Sequence, residues 1–570
     1  MSAAPQPPPP VAHAAWRLWS NPIFRRYCQS RLRFAGLGVA LLVTVLVAGF
    51  IVSLASSIGV NTGATAADAA RGALIPLLVL QAFILFVLGT AQVSGGMTAE
   101  RDEGVIDYQR LLPMTPLAKV LGYLFGLPVR EYAMFLATLP FTAWALWRGQ
   151  VAAPVWLQLY VVICTSTLLY HCTGLLTGTV AKNRRWAFLA SIGLVFLLYT
   201  VIPQMAKFGL VYFKYLTITP VFEELLPGLL PSKAAAAWRI GQWLMPTVKF
   251  FGLDFSEVFF TVFSQGGLIL ISTLMLCRRW RRAEAHLLGK GWAVGFFVWI
   301  QILLLGNALP LIETGALFPS LAFSNFVRLK PDWVPKGGEA LLMSGSYGVV
   351  TLLLVLVLGG RVTPTRDTQL RGWRRARKQG ASGLPWFSDA ATGFWAVALM
   401  ALAGALGWFV FTRAVVESRW FPGHEVPAQI GGYFAAVLLT VGLGFQTLSE
   451  SRGARATGLA VIFLGVVPLM VGAVLGALGE RFATAAAWIV GLSPISLPIY
   501  ATGSLLSLAE LPLPVARAVP RAFHFWLLAD ASAVGWLTWH LWTSRRTMAA
   551  EVLRAPLAPP PLPGPDAARP

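Results

Sequence analysis

Long apolar runs alternate with short polar segments along nearly the whole chain. A run of about 20 apolar residues crosses a bilayer as one α-helix, because each residue adds about 1.5 Å and the hydrocarbon core is about 30 Å thick. The pattern therefore predicts an all-α polytopic membrane protein with about twelve transmembrane helices. The predicted spans cover residues 37–54, 74–93, 117–146, 155–180, 186–205, 258–276, 292–311, 340–359, 394–411, 433–448, 458–478 and 522–543.

The order of the polar segments predicts two pseudo-repeated halves of six spans each. A basic turn, a span, an outer Thr-Pro or Ser-Pro step followed by apolar partial helices, and a last span occur in the same order twice. The predicted boundaries are 1–15 for a disordered N-terminal tail, 16–290 for the first half, 291–548 for the second half and 549–570 for a Pro-rich C-terminal tail.

The segments outside the spans carry further patterns. An amphipathic helix with a basic face is typical of a helix that lies in the membrane interface. The outer segments are too apolar for solvated coil, and they predict short helices that dip into the outer leaflet. These segments are an interfacial helix at 21–33, a charged segment at 97–116, outer partial helices at 206–257 and 479–520, and a basic cytoplasmic segment at 361–390.

The composition agrees with a membrane protein, since 56% of the residues are hydrophobic and 12% are charged, against about a quarter charged in an average soluble domain. The net charge of +21 raises the question of nucleic-acid binding. However, Lys and Arg are scattered between the spans, at about twice the density on one predicted side, as the positive-inside rule describes. We therefore predict a lipid bilayer, and no nucleic acid, as partner. The chain is predicted to be multi-pass in a bacterial cytoplasmic (inner) membrane, with both termini cytoplasmic.

Residues 97–116 form a strongly charged segment between two long apolar runs. Thr98 can cap a short helix whose first turn carries acids, which is favourable at the positive end of a helix. Pro113 ends this helix, and Thr115 can cap the next one ahead of Pro116. The segment is predicted to receive a cytoplasmic partner. The residues predicted on its apolar face are Val105, Tyr108 and Leu112.

The same segment resembles the sequence that follows the second span in type-2 ABC exporter permeases. In that family, a Glu-Arg-rich stretch ending in Gly precedes Leu-Leu and a Thr-Pro or Ser-Pro step, and residues 100–104 and 111–116 are similar to it. Residues 21–26 resemble the amphipathic connecting helix before span one, and the outer partial helices between spans five and six are a third similarity. In the second half, which lacks the acidic motif, the resemblance rests on the order of the spans.

The resemblance implies the permease subunit of an ATP-driven exporter that works by alternating access. ATP and Mg²⁺ would lie on separate ATP-binding cassette ATPase subunits, two copies for a two-half chain, and this chain would hold no cofactor. The apolar spans favour a hydrophobic or amphipathic substrate. In the family, the matching segment is a coupling helix that docks on the ATPase. That role is carried over to Glu100, Arg101, Asp102, Glu103, Gly104 and Arg110.

The residues needed for ATP hydrolysis are not found in the sequence. The pair Gly289-Lys290 has Glu284 where a Walker motif requires its first Gly. The sequence shows no set of residues for nucleophilic catalysis and no metal-ligand spacing among its four Cys residues. The chain is therefore predicted to be a transport subunit rather than an enzyme.

Ionisable residues inside predicted spans are candidate functional sites, because burying a charge in a membrane is costly. They can contact substrate or relay protons, or they can join neighbouring helices. An ion-coupled secondary transporter that uses Asp530 or Glu131 is the alternative function. A membrane-embedded transferase or polymer-assembly protein would need a polar catalytic cluster, which the sequence does not show. The candidates are Asp530, Arg130, Glu131 and His171.

Overall fold

The computed structural model describes residues 15–181, 183–241, 248–282, 284–320, 334–508 and 512–554. Within these residues the chain is almost entirely helical, and one short β-hairpin is the exception. Nearly all of the predicted N-terminal tail and most of the predicted C-terminal tail lie outside the described residues.

Nine helices in the described part of the chain are long and apolar enough to cross a membrane, or ten if a bent pair is counted as one more span. They indicate a multi-pass all-α membrane protein, as predicted. The nine are Phe34–Asn61, Ala66–Asp102, Ala153–Val180, Arg184–Phe208, Glu257–Arg281, Lys290–Ile312, Gly337–Val362, Phe394–Val416 and Gln429–Ala477. The bent pair is Pro116–Gly126 and Val129–Arg148.

Two features separate this set from the twelve predicted spans. Predicted spans 433–448 and 458–478 lie in the single stretch Gln429–Ala477, which a non-helical backbone interrupts at Gly453 (φ 81°, ψ 173°). An unbroken helix of that length would measure about 70 Å, which far exceeds the hydrocarbon core. The predicted span 522–543 lies in the helix Leu513–Arg554, which is not in the set because its His, Trp and Asp residues lower the hydropathy. Twelve spans in two halves therefore stay a prediction.

By their internal contacts, the described residues fall into two compact units. Each unit has its own buried apolar side chains, such as Leu77 and Tyr170 in the first and Trp408 and Phe434 in the second. The first unit is drawn from Met1–Leu287, Ile300–Tyr347 and Val410–Val426, and the second from Leu288–Trp299, Gly348–Phe409 and Pro427–Pro570.

The first part of the chain, within the first unit, is built around the contacts of α9 with α5 and α13. π-Helical turns at Phe83–Gly89 and Leu197–Val201 interrupt two of its long helices. The helices are α1 (Pro22–Arg31), α2 (Phe34–Asn61), α3 (Ala66–Gly72), α4 (Leu74–Ala82), α5 (Thr90–Asp102), α6 (Val105–Leu111), α7 (Pro116–Gly126), α8 (Val129–Arg148), α9 (Ala153–Val180), α10 (Arg184–Phe196), α11 (Thr219–Leu229), α12 (Ser232–Gly241) and α13 (Glu257–Arg281).

The interfacial helix predicted at 21–33 is α1. Its start follows from local chemistry, because the Asn21 side chain accepts a hydrogen bond from the Ile23 amide at 3.0 Å and Pro22 occupies the first helical position. Asn21 Nδ2 also donates to the Ala118 carbonyl at 2.6 Å, which ties α1 to α7. The cap therefore fixes both the start of α1 and its place against the third predicted span.

The third predicted span is broken where the sequence places Pro128. The helices α7 and α8 meet at an angle of 52°. Proline lacks an amide hydrogen and its ring clashes with the preceding turn, so it weakens a helix and can kink or break it. The break places Arg130 and Glu131 in the first turn of α8.

The segment predicted at 206–257 contains short helices, as predicted, and a β-hairpin that was not predicted. The 3-10 segments Ile202–Phe208 and Val211–Leu216 precede α11 and α12. The strands β1 (Val248–Phe250) and β2 (Leu253–Phe255) then pair antiparallel. Each strand has three residues, which is too short for an alternating pattern to be recognised.

The remaining helices follow the predicted order of elements. The partial helices predicted at 479–520 correspond to α20 and α21, and α22 extends into the first residues of the predicted C-terminal tail. These helices are α14 (Lys290–Ile312), α15 (Gly337–Val362), α16 (Arg366–Lys378), α17 (Phe394–Val416), α18 (Gln429–Ala460), α19 (Val467–Ala477), α20 (Ala483–Gly491), α21 (Leu497–Leu505) and α22 (Leu513–Arg554).

Candidate functional site

The charged segment 97–116 is a helix end, a tight turn and a second, seven-residue helix. The helix α5 continues to Asp102, Gly104 turns the chain with a left-handed backbone (φ 73°), and α6 follows directly. Left-handed glycine is the common way to end a helix. Thr115 then caps α7 by accepting from the Ala118 amide at 3.2 Å, as predicted.

The predicted start of the short helix at Thr98 is wrong. Thr98 lies inside α5, fully buried, and its hydroxyl donates to the Ser94 carbonyl at 3.0 Å. Val93 and Met97 are also buried in the first unit's core, so apolar packing extends the transmembrane helix beyond the last apolar run of the sequence. The short helix α6 therefore begins at Val105, seven residues after Thr98.

The buried side of the short helix α6 differs from the apolar face that the sequence predicted. Ile106 and Gln109 point inward, and the amide oxygen of Gln109 accepts a hydrogen bond from the Tyr123 hydroxyl at 2.6 Å. Tyr108, which was predicted on the apolar face, is 68% exposed, and Leu111 is 82% exposed. Two large apolar side chains are thus presented outward.

Glu100 is the centre of the polar contacts that hold this segment. One carboxylate oxygen accepts from the Tyr27 hydroxyl at 2.7 Å and pairs with Arg26. The other lies 3.1 Å from the Tyr123 hydroxyl and shares its single proton with the nearer Gln109 oxygen. Burial, and next the neighbouring Glu100 charge, raises the pKa of the Tyr27 phenol, which therefore stays protonated and donates. Glu100 joins α1, α5 and α7, a role that was not predicted.

The helix α1 can approach α7 closely enough for these contacts because α7 has a glycine, with no side chain, where the two helices meet. A Cβ atom placed on Gly126 would lie 2.8 Å from the Tyr27 ring. The Tyr27 and Tyr123 rings then meet edge to face, with centroids 5.8 Å apart. This ring packing adds an apolar contact beside the ion pair between Glu100 and Arg26.

The other predicted docking residues divide into anchored and exposed groups. Arg101 pairs with Asp102 at 2.8 Å and donates to the Gly178 carbonyl at 3.3 Å, so it ties α5 to the end of α9. Arg110 pairs with Asp107 on α6 itself. Lys119 fastens the end of α6, because its buried ammonium donates to the Leu112 carbonyl at 3.1 Å.

The outward surface of this segment is named the docking face. It combines two exposed apolar side chains with three exposed acids and a glycine turn. Of the six residues predicted to dock, three belong to it. Glu100 and Arg101 instead hold the segment in place, and Arg110 pairs within α6. The docking face consists of Asp102, Glu103, Gly104, Asp107, Tyr108 and Leu111.

We expect Gly104→Ala to lower the free energy of unfolding by about 1–2 kcal/mol, because a side chain strains the left-handed backbone. Gly36→Ala is the matched control, since Gly36 has nothing within 4 Å of an added Cβ and lies in helical backbone. That control should be neutral or stabilising. Thermal unfolding of both variants in the same detergent tests the pair, and equal shifts would contradict the expectation.

The basic segment predicted at 361–390 contains α16, which belongs to the second unit. Gln369 donates to the Glu450 carboxylate at 2.5 Å, Glu450 pairs with Arg545, and Arg377 donates to the Val552 carbonyl at 2.9 Å. These contacts join α16 to α18 and α22. Glu450 and Arg545 were not predicted as a site, because their proximity depends on folding. The exposed cations of α16 are Arg366, Arg371, Arg374, Arg375 and Lys378.

The intramembrane candidates differ in how well their polar atoms are satisfied. His171 is fully buried and uses both ring nitrogens, one with the Tyr132 hydroxyl at 2.8 Å and one with the Leu85 carbonyl at 3.0 Å. These contacts favour a structural role in which His171 joins neighbouring helices. Glu131 is buried and pairs with Arg130 at 2.9 Å, but its Oε2 atom has no partner among the described residues. Asp530, in the second unit, likewise has one oxygen without a described partner.

A cavity of about 850 Å³ opens beside Arg130 and Glu131 in the first unit. We name it the arginine groove. Its walls are mainly apolar. They are formed by α2, by the π-helical turn Phe83–Gly89, by α5, by α8 and by α10. Its polar residues are Gln92, Arg130, Glu131, Arg184 and Arg185. Its apolar and glycine residues are Ala40, Leu88, Ala91, Gly95, Met134, Phe188 and Leu189.

Comparison with known proteins adds no assignment to these sites. No family model, no curated protein and no solved structure matches the chain. The docking face and the arginine groove are therefore interpreted from their own residues.

Proposed function

We propose that this chain is the permease subunit of an ATP-driven exporter and that a separate ATPase subunit docks on the docking face. One observation carries the proposal: the short helix α6 presents Tyr108 and Leu111 outward, among acids, while buried contacts fix its position. An exposed apolar pair with a charged rim is typical of an interaction surface. The segment connects the membrane-length helix Ala66–Asp102 to the bent pair α7 and α8, so a force applied to it would reach both.

The chemistry of the docking face defines the partner surface that would fit it. Tyr and Leu side chains need an apolar cleft. Of the three acids, Asp102 and Asp107 pair with arginines of the same segment, so Glu103 is the acid that most favours a basic residue beside that cleft. Because Glu100 and Lys119 hold the two ends of the segment, a partner would meet a preformed surface. Preformed surfaces bind more tightly, since less conformational freedom is lost.

The finer organisation belongs to the same proposal. Twelve spans in two halves would place α6 and α16 as two docking helices, one with an acidic surface and one with a basic surface. Two ATPase copies would hold ATP and Mg²⁺. The apolar spans support a hydrophobic or amphipathic substrate, and the excess of Lys and Arg on one predicted side supports cytoplasmic termini in a bacterial inner membrane.

An ion-coupled secondary transporter is the second candidate function. The observation that favours it is Glu131, a buried carboxylate at a helix break that lines the arginine groove and has one oxygen without a described partner. Protonation of such a group can couple to helix movement. Transport in vesicles that follows a proton gradient without ATP, and that Glu131→Gln abolishes, would favour this function over the first.

We expect Glu103→Lys to weaken ATPase docking about tenfold, because it reverses a charge on the rim of the docking face. Membrane insertion should be unchanged, since the Glu103 side chain is exposed. The measurement is the amount of ATPase that co-purifies, together with stimulated ATP turnover. Glu551→Lys, the same change at another exposed glutamate, is the control. Unchanged docking in Glu103→Lys would argue against the docking face.

A further inference from the structure

We propose that the arginine groove binds the phosphate headgroup of an anionic lipid. The inference goes beyond the proposed function, because lipid binding requires neither ATP nor an ATPase. It rests on where the structure places three arginines relative to an apolar wall.

The groove gathers arginines from distant parts of the chain. Arg130 belongs to the first turn of α8, whereas Arg184 and Arg185 are the first two residues of α10. All three line the same cavity. Arg31, at the end of α1, lies close enough to interact electrostatically with Arg130, Arg184 and Glu131. Arg130 and the pair Arg184 and Arg185 are far apart in the sequence, and the fold brings them to one cavity.

The charges of the groove do not cancel. Glu131 is the acid among its lining residues, and it pairs with Arg130 at 2.9 Å. In the described part of the chain, the side chains of Arg184 and Arg185 have neither a hydrogen bond nor an ion pair, and both are exposed. Two guanidinium groups are thus available to an anion. Guanidinium binds phosphate through paired hydrogen bonds and is the side chain best suited to it.

The position of the arginines on α10 favours a lipid over a soluble anion. Asn183 caps α10 by accepting from the Trp186 amide at 3.0 Å, so Arg184 and Arg185 stand at the positive end of the helix dipole. One turn deeper, Phe188 and Leu189 line the groove and are 46% and 57% exposed. Hydrogen-bond donors for an anion therefore lie at one end of an apolar wall.

This arrangement matches the two parts of a phospholipid. The headgroup phosphate would lie between Arg184 and Arg185, and an acyl chain would follow Phe188 and Leu189. Basic pockets between transmembrane helices at the cytoplasmic edge are known to bind anionic headgroups. A cavity of about 850 Å³ is within the usual size range of ligand pockets, about 300–1,000 Å³.

The test is a binding titration of the purified full-length chain in mild detergent with dioctanoyl phosphatidylglycerol. We expect the variant Arg184→Gln/Arg185→Gln to raise the Kd about tenfold or more, because two charge-assisted contacts are lost. Ala40→Trp keeps every charge and fills the groove, and it should weaken binding comparably. Size-exclusion chromatography and circular dichroism establish that each variant is folded.

Arg374→Gln/Arg375→Gln is the matched control, since it removes an adjacent exposed arginine pair from α16 in the second unit. Its Kd should stay within about twofold of the unmodified chain. Two parallel titrations identify the ligand: dioctanoylglycerol lacks the phosphate, and inorganic phosphate lacks the chains. Both should bind far more weakly. Equal binding by the Arg184/Arg185 variant, by dioctanoylglycerol or by inorganic phosphate would overturn the proposal.

Discussion

The double substitution Tyr108→Asp/Leu111→Asp is expected to abolish co-purification of the ATPase while leaving the chain folded. Both side chains are largely exposed, at 68% and 82%, so their loss removes little of the chain's own packing. In a docked complex they would be the apolar anchors at the centre of the interface. Truncating central anchors typically costs about 2–4 kcal/mol each, which together weakens binding more than about a thousandfold.

The measurement is the ratio of ATPase to permease after affinity purification in mild detergent. Phe251→Asp/Leu253→Asp is the matched control, because it also replaces an exposed aromatic residue and an exposed leucine, at the β-hairpin. The control should retain the ATPase. Retention by both variants would place the interface elsewhere, and loss by both would show a general effect of exposed aspartates.

The second large effect is expected from Glu100→Ala, and it concerns stability. Removing the carboxylate leaves the Tyr27 hydroxyl without its acceptor and Arg26 without its ion pair. A buried hydroxyl that loses its partner costs about 1–3 kcal/mol. Tyr123 is affected less, because Gln109 still accepts its hydroxyl proton. We therefore expect a loss of about 2 kcal/mol and release of α1 from α7.

Thermal unfolding in detergent measures this loss, and proteolysis near α1 reports its release. Glu103→Ala is the control three residues away, at an exposed side chain, and should unfold like the unmodified chain. Glu100→Gln keeps an acceptor oxygen and should lie between the two. If Glu100→Ala and Glu103→Ala unfold alike, Glu100 does not hold the segment.

Features that depend on neighbouring residues could be predicted from the sequence. Asn21-Pro22 and Thr115-Pro116 begin helices as expected, because a cap and a proline act within one turn. Pro128 breaks the third predicted span for the same local reason. The apolar runs predict most of the membrane-length helices correctly, since length and hydropathy are enough for that purpose.

Features that depend on distant residues could not be predicted. Tyr27 and Tyr123 are 73 and 23 residues from Glu100 in the chain, so no local pattern joins them. The same is true of Arg130 and Arg184 in the arginine groove. The direction in which Tyr108 points depends on where α6 begins. That start follows the left-handed turn at Gly104, because core packing of Met97 keeps the preceding residues in α5.

The most direct test is affinity purification of the tagged chain from mild detergent, in parallel with Tyr108→Asp/Leu111→Asp, followed by mass spectrometry of the accompanying proteins. We expect the unmodified chain to retain a protein with a Walker motif in stoichiometric amount, and the variant to lose it. Absence of any nucleotide-binding partner, together with transport that follows a proton gradient without ATP, would contradict the proposed function.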